Sequence, residues 1–532
     1  MALLLLSAVA ACSGGSGSGS AAGAMNAIPA THRVDLLRPH DGTGMFANIV
    51  GVGDSLTAGY QSGGFLGALK VPNPFFQGSS IPPGQESGFW ADLYEQATGF
   101  SPESMYKPQL SPLPLIAGPG LDNQVVSSLT TVFAQSKTGN SCTFHNDFDQ
   151  SAFSLSNLSR VRLNANSGLV RDLGVPGITL HEASYMTRPL TPTCNVLPGT
   201  AGLLSAVTNG ESGVFYPVLG DFAPRLGQNL TMVAAARSLV PTLVTIWLGA
   251  NDVLKFMGSG GLFRGGDMTA AQTQADLQPM IRSFQKINTK VVIANLPDVL
   301  LTPYFMNVDI PSNVNACKVN QYFYCLMVVS FGVPTSVAAK VTKEVRAAYH
   351  LEPSYKCVKA SLSKPCGYVT LPGALSILPA VVAGGKIPSL DPNGPGSGLG
   401  GNYITPAFAG QIQVVNNNVN AGIDASARNT GTPLVDIQAI FQGIASGDPS
   451  NQYFAKAQVN PGVCCSEVFH GGLVSYDGLH PSNTGYALIS YYFIQTINRA
   501  YAAYGANIPE TPIKAIYSGK PPYKFADPYA FQ

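Results

Sequence analysis

Apolar runs of strand length alternate along this chain with segments of helical period, and that alternation admits few architectures. Phe46 to Val52 reads as a first buried strand. Gln228 to Leu239, apolar at helical spacing, feeds a second run, Leu243 to Leu248. Met268 to Ile287 then has the spacing of a crossover helix and leads to Val291 to Ala294. A further helix is predicted to start at Thr405-Pro406, an N-cap and first-turn pair, with Phe408, Ile412, Val415, Val419 and Ile423 on one face. It runs into Leu434 to Ile437, and a last helix begins near Ser482 and continues through Tyr486, Ile489, Tyr492 and Ile494. Strand and helix in strict alternation build a parallel sheet covered on both faces, so the expected class is α/β.

Two stretches break the pattern, about 61–172 and about 302–401. Loops this long carry function or structure of their own, and both read as insertions in one domain spanning 25–507. The Pro-rich tail, 508–532, is expected to pack along the surface. Charged residues make up 11% of the chain against 45% hydrophobic, with 57 Gly and 40 Pro, which describes a globular, loop-rich protein rather than a disordered one. A net charge of +1 without a Lys/Arg block gives no support for a polyanion partner, and no nucleic-acid binding is expected.

Residues 1–12 form an apolar stretch closing on Val9-Ala10-Ala11-Cys12, followed by a Gly/Ser/Ala-rich linker at 13–24. This reads as a secretory signal with a lipobox-like end, although no Lys or Arg precedes the apolar run. Lipidation at Cys12 predicts membrane attachment as an outer-membrane or cell-surface lipoprotein; cleavage after Ala10 or Ala11 predicts free secretion. No later segment has the uninterrupted apolar length of a membrane span. The other eight cysteines, Cys142, Cys194, Cys317, Cys325, Cys357, Cys366, Cys464 and Cys465, are an even set suited to disulfides in an oxidising compartment. Cys317 with Cys325 and Cys357 with Cys366 are plausible local pairs, whereas adjacent Cys464 and Cys465 are expected to reach different partners. No C-x-x-C occurs and His181-Glu182 lacks a second histidine, so no metal site is expected.

Four short motifs carry chemistry. Gly53-Asp54-Ser55-Leu56 sits at the exit of the first apolar run, where a hydroxyl can act as a nucleophile or merely cap a helix. Val175-Pro176-Gly177-Ile178-Thr179 and Gly249-Ala250-Asn251-Asp252 follow, each readable alone as ordinary turn chemistry. Asp477-Gly478-Leu479-His480-Pro481 comes last. His480 is the candidate general base, with Asp477 three residues before it as the group that holds the imidazole tautomer; alone, the pair also reads as local capping. His470 lacks a carboxylate at matching spacing and is read as structural. The apolar stretch Leu326 to Val333 is a lipid-facing lid or, as the favoured reading, buried core.

Taken together and in this order, the four motifs resemble the signature blocks of the SGNH (GDSL-type) serine hydrolases. Ala294-Asn295-Leu296-Pro297-Asp298 and Trp247 to Asp252 look like the bacterial lipase/esterase branch. The resemblance implies a three-layer α/β/α sandwich of flavodoxin-like form. It also implies Ser55 as nucleophile, an oxyanion hole from Ser55, Gly177 and Asn251, and D-x-x-H closing the domain. An ordinary α/β-hydrolase would show a G-x-S-x-G elbow, which this sequence lacks. The expected activity is cofactor-free hydrolysis of an ester substrate, lipid or acylated small molecule or glycan. Removal of acetyl groups from polysaccharide, and a non-catalytic surface binding lipoprotein on the same fold, are the alternatives.

Overall fold

The computed structural model describes residues 44–61, 85–105, 107, 109–116, 162, 164, 167–187, 215–312, 322–382, 385–390, 402–457, 472–475, 478–523 and 527. Eight strands lie within them: β1 (Ile49–Gly53), β2 (Asp172–Gly174), β3 (Leu243–Trp247), β4 (Lys290–Ala294), β5 (Phe305–Met306), β6 (Tyr368–Thr370), β7 (Tyr403–Ile404) and β8 (Leu434–Val435). Five of these form one parallel sheet in the order β2-β1-β3-β4-β8. Gly51 pairs with Asp172, Val50 with Val244, Ile246 with Ile293, and Ala294 with Val435. Every residue of β1 and β3 is buried, as a central parallel strand covered on both faces requires.

The covering layers follow from the pleat. Trp247 meets Phe89 edge-on at 5.2 Å, and Phe89 stacks on Phe493 at 4.6 Å, so the helices Phe89–Thr98 and Asn483–Tyr501 lie together on that face. Helices Ala270–Gln285 and Pro406–Thr430 pack against one another over the opposite face. The Pro406 helix starts as its sequence predicts, with the Thr405 side chain accepting from the Phe408 N–H at 3.3 Å. Phe408, Ile412, Val415, Val419 and Ile423 are all buried.

Several local expectations change. The run Leu434 to Ile437 is strand only to Val435, because the Asp436 side chain accepts the Ala439 N–H at 3.0 Å and starts the helix Ile437–Ala445. A 3-10 turn occupies Gly44–Phe46, so the first strand opens at Ile49. Strand β2, too short and polar to show periodicity, lies at the end of the stretch 61–172. The same stretch contributes the core helix Phe89–Thr98.

Beyond β4 the stretch 302–401 holds structure of its own. Strands β5, β6 and β7 form an antiparallel sheet, accompanied by helices Thr335–Tyr349 and Leu371–Val382. Cys357 and Cys366 are disulfide-bonded with Cα atoms 5.0 Å apart. Cys325 is also disulfide-bonded, whereas Cys12, Cys142, Cys194, Cys317, Cys464 and Cys465 lie outside the described residues. Leu326, Met327 and Val333 are buried, in line with core rather than lid, and Phe331 is half exposed. The tail forms a helix, Ile513–Ser518, against Asn483–Tyr501. Among the described residues no helix is long and apolar enough to cross a membrane.

Candidate active site

Three neighbouring strands deliver three of the motifs to one edge. In a parallel sheet all carboxyl ends face the same way, so the residues leaving β2, β1 and β3 converge. Ser55 begins a helical turn closed by Ala58 N–H to the Asp54 carbonyl (3.0 Å) and Tyr60 N–H to the Ser55 carbonyl (2.9 Å). The turn comes so close to the sheet that only glycine fits at Gly53, where a Cβ would lie 1.8 Å from Thr57 Oγ1. Beside it, Val175 N–H donates to the Gly53 carbonyl at 3.0 Å. Gly177 then takes a left-handed φ of 88°, a conformation that favours glycine.

Asn251 lies in the first turn of the helix Ala250–Gly258, directly after β3. Its amide Nδ2 donates to the Ile178 carbonyl at 3.0 Å and to Asp54 Oδ2 at 3.2 Å, tying three motifs into one cluster. Asp54 Oδ1 accepts the Leu56 N–H at 2.9 Å. Burial pushes the Asp54 carboxyl up to about 7, against the pull of the Leu56 N–H and of His480. Among the described residues neither the Ser55 N–H nor the Gly177 N–H is spent on an acceptor, the arrangement an oxyanion hole requires.

His480 arrives from the far end of the sequence. Its Nε2 lies 2.9 Å from Ser55 Oγ, across 425 residues of chain. The loop that carries it is closed on itself, with Ser475 N–H on the His480 carbonyl (2.8 Å) and Ser482 N–H on the Leu473 carbonyl (3.0 Å). Tyr304 N–H, just before β5, donates to the Gly478 carbonyl at 3.0 Å. The Tyr60 ring lies 4.9 Å from the imidazole. Asp477 and His470 lie outside the described residues, as does Cys12.

The motif residues also have a support that their sequence blocks do not announce. Asp252 Oδ2 accepts the Leu180 N–H (3.0 Å) and Oδ1 the Asp267 N–H (2.7 Å). Burial raises this carboxyl to about 7 as well. Thr179 and Glu182 form a capping box at the start of helix Leu180–Tyr185, and Glu182 takes the buried Lys255 ammonium at 3.0 Å. The T-x-x-E spacing at 179–182 was the readable signal for this cap. Among the described residues no group of three or more His, Cys, Asp or Glu side chains is placed to hold a metal ion.

The family model described as GDSL-like Lipase/Acylhydrolase matches residues 49–331, more than half of the chain. The chain belongs to this family. The parallel sheet and its covering helices are the α/β sandwich expected for a GDSL hydrolase. The family assignment makes the chain a serine hydrolase acting on ester bonds. The matched span includes Ser55, Gly177 and Asn251 but ends before His480. Comparison with curated proteins and with solved structures gives no match.

Proposed function

We propose that the chain is an exported carboxylic-ester hydrolase that works through an acyl-Ser55 intermediate. The observation that carries this reading is the 2.9 Å contact between His480 Nε2 and Ser55 Oγ at the carboxyl edge of a parallel sheet. Ser55 Oγ attacks the ester carbonyl carbon as its proton passes to His480 Nε2. The carbonyl oxygen gains the negative charge and is met by the Ser55 N–H, the Gly177 N–H and the Asn251 amide. When the tetrahedral species collapses, the bond to the alcohol oxygen breaks and His480 returns the proton to it. Water, deprotonated by the same nitrogen, then attacks the acyl carbon; the bond from that carbon to Ser55 Oγ breaks, His480 returns the proton to Oγ, and the acid leaves. Asp477, three residues before His480, takes the role of orienting the imidazole.

Ser55→Ala and His480→Ala test the reading, assayed on short acyl esters. Each is expected to cost orders of magnitude in kcat with the fold intact, because members of a cooperating set fail together. Retention of more than about a tenth of wild-type kcat by either variant contradicts the assignment. Export is supported by the apolar start, the Cys12 context and the Cys357–Cys366 disulfide. Mass spectrometry of the natively produced protein is expected to find a mature chain starting at lipidated Cys12. An intact Met1 contradicts export, and an unlipidated start near Ala11 or Cys12 removes only the anchor.

A further inference from the structure

The C-terminal segment reaches back to the first turn of the helix that follows His480. Helix Asn483–Tyr501 is capped by Ser482, whose Oγ accepts the Gly485 N–H at 3.1 Å while its hydroxyl donates to the Gly472 carbonyl at 2.6 Å. The first N–H groups of a helix have no partner within it, and Thr484 carries another of them. Its acceptor comes from 43 residues downstream: Asp527 Oδ2, at 2.8 Å, which also accepts the Thr484 hydroxyl. Asp527 is 3% exposed, and its own N–H donates to the Tyr517 carbonyl at 3.1 Å. Upstream in the tail, the Thr511 hydroxyl donates to Ser490 Oγ at 3.0 Å, so the segment is fastened to this helix at two levels.

The same helical turn is bonded to the catalytic side. Tyr486, two residues after Thr484, donates its hydroxyl to the Tyr60 carbonyl at 2.7 Å. Tyr60 in turn donates its N–H to the Ser55 carbonyl and sets its ring against His480. His480 is separated from the turn only by Pro481 and the cap Ser482. A carboxylate on the N-terminal N–H groups of a helix is favourable in itself, and here it fixes the turn from which the His480 loop departs.

We propose that Asp527 is a positioning residue for His480: by holding the first turn of helix Asn483–Tyr501, the C-terminal strap sets how the imidazole meets Ser55. The inference rests on the Ser55–His480 reading of the site. Displacing a catalytic group by a fraction of an ångström to one ångström lowers the rate without loosening substrate binding.

The test uses the full chain and compares Asp527→Ala, Asp527→Asn, Tyr501→Phe and Ser55→Ala. The readouts are kcat and KM on a short p-nitrophenyl ester, the rate of Ser55 labelling by an alkyl fluorophosphonate, and thermal melting. Asp527→Ala, assayed well below its melting point, is expected to lose about tenfold to hundredfold in kcat and in labelling rate with little change in KM. Asp527→Asn is expected to recover most of this, since its amide oxygen still accepts from Thr484. Tyr501→Phe removes the hydroxyl bonds to Val291 at the other end of the same helix. It is expected to lower the melting temperature and leave kcat alone. Folded Asp527→Ala with wild-type kcat, or an equal kcat loss in Tyr501→Phe, overturns the proposal. Should Asp527→Ala fail to fold, Thr484→Val, which removes only the hydroxyl donor, carries the same expectation at a smaller loss, and an unchanged kcat in it is equally fatal. Activity surviving in Ser55→Ala overturns the site reading itself; an inactive Ser55→Ala beside an unaffected Asp527→Ala overturns this inference alone.

Discussion

Asn251 has two amide hydrogens and three claims on them. Ile178 and Asp54 hold them at 3.0 and 3.2 Å, and the proposed oxyanion is the third claimant. The longer bond is the one to exchange. With its carboxyl pushed up to about 7 by burial, Asp54 is largely protonated on the acid side of neutrality, and a neutral acid grips an amide less firmly than a carboxylate does. Asn251→Ala is therefore expected to lower kcat by about 10² to 10³ with KM nearly unchanged, the usual loss on deleting one oxyanion donor. Steady-state kinetics on a short acyl ester decide the matter, and an effect confined to KM would make Asn251 a substrate-binding residue instead. Asp54→Asn should move kcat in the same direction by less. The new amide either faces the Asn251 amide donor to donor, or turns and leaves the Leu56 N–H without its acceptor.

At the level of elements, the site depends on how tightly the turn after β1 lies against the sheet. A Cβ at Gly53 would meet Thr57 Oγ1 at 1.8 Å and the Trp247 carbonyl at 2.9 Å, and backbone cannot yield as a flexible side chain can. Gly53→Ala is expected to destabilise the fold by about 1–3 kcal/mol, the range for overpacking, and to reduce activity because Ser55 moves with the turn. Denaturant unfolding measures the first effect, and a midpoint equal to wild type would show that the turn has slack. The elements legible in the sequence were those with a long period and a cap: Thr405-Pro406 with its five apolar residues predicted the Pro406–Thr430 helix. Asp436 shows the opposite case, where a single capping side chain overrode an apolar run that read as strand to Ile437. Helix Phe89–Thr98 was obscured by its Pro- and Ser-rich surroundings, although Phe89, Trp90, Leu93 and Tyr94 have helical spacing and Gly99 closes it in the left-handed region. Ser55, Gly177 and Asn251 stood out only because their short blocks occur together and in order, each alone reading as turn or cap chemistry; Asp252, Lys255 and Asp527 did not, since their partners are fixed only by tertiary packing.

Over the whole molecule, buried acids give the fold a pH dependence opposite to that of a protein held by surface ion pairs. Burial raises Glu86 and Asp172 to about 8, and Asp54 and Asp252 to about 7. Asp92 and Glu95 are raised as well, again chiefly by burial. Unfolded, these groups return to their ordinary values of 3.8 for Asp and 4.5 for Glu. Between those values and about 7 the folded chain therefore binds more protons than the unfolded one, and stability must fall as pH rises. Lys359 runs the other way. Desolvated to about 7, it binds fewer protons folded than unfolded from there up to its ordinary 10.5, so it adds stability with rising pH only above neutrality. These acids, joined by Asp267, Asp298 and Asp424, which burial also raises, outnumber the one lysine and decide the sign below pH 7, and the two effects oppose one another between 7 and 8. The melting temperature is accordingly expected to decline from about pH 5 to pH 7 and to flatten beyond it. Glu86→Gln, which removes one titrating carboxyl without changing its shape, should leave the melting temperature near pH 5 unchanged and make the decline shallower. Differential scanning calorimetry across that range provides the check. A melting temperature that climbs from pH 5 to pH 7 would mean that these carboxyls ionise in the folded protein with partners of their own.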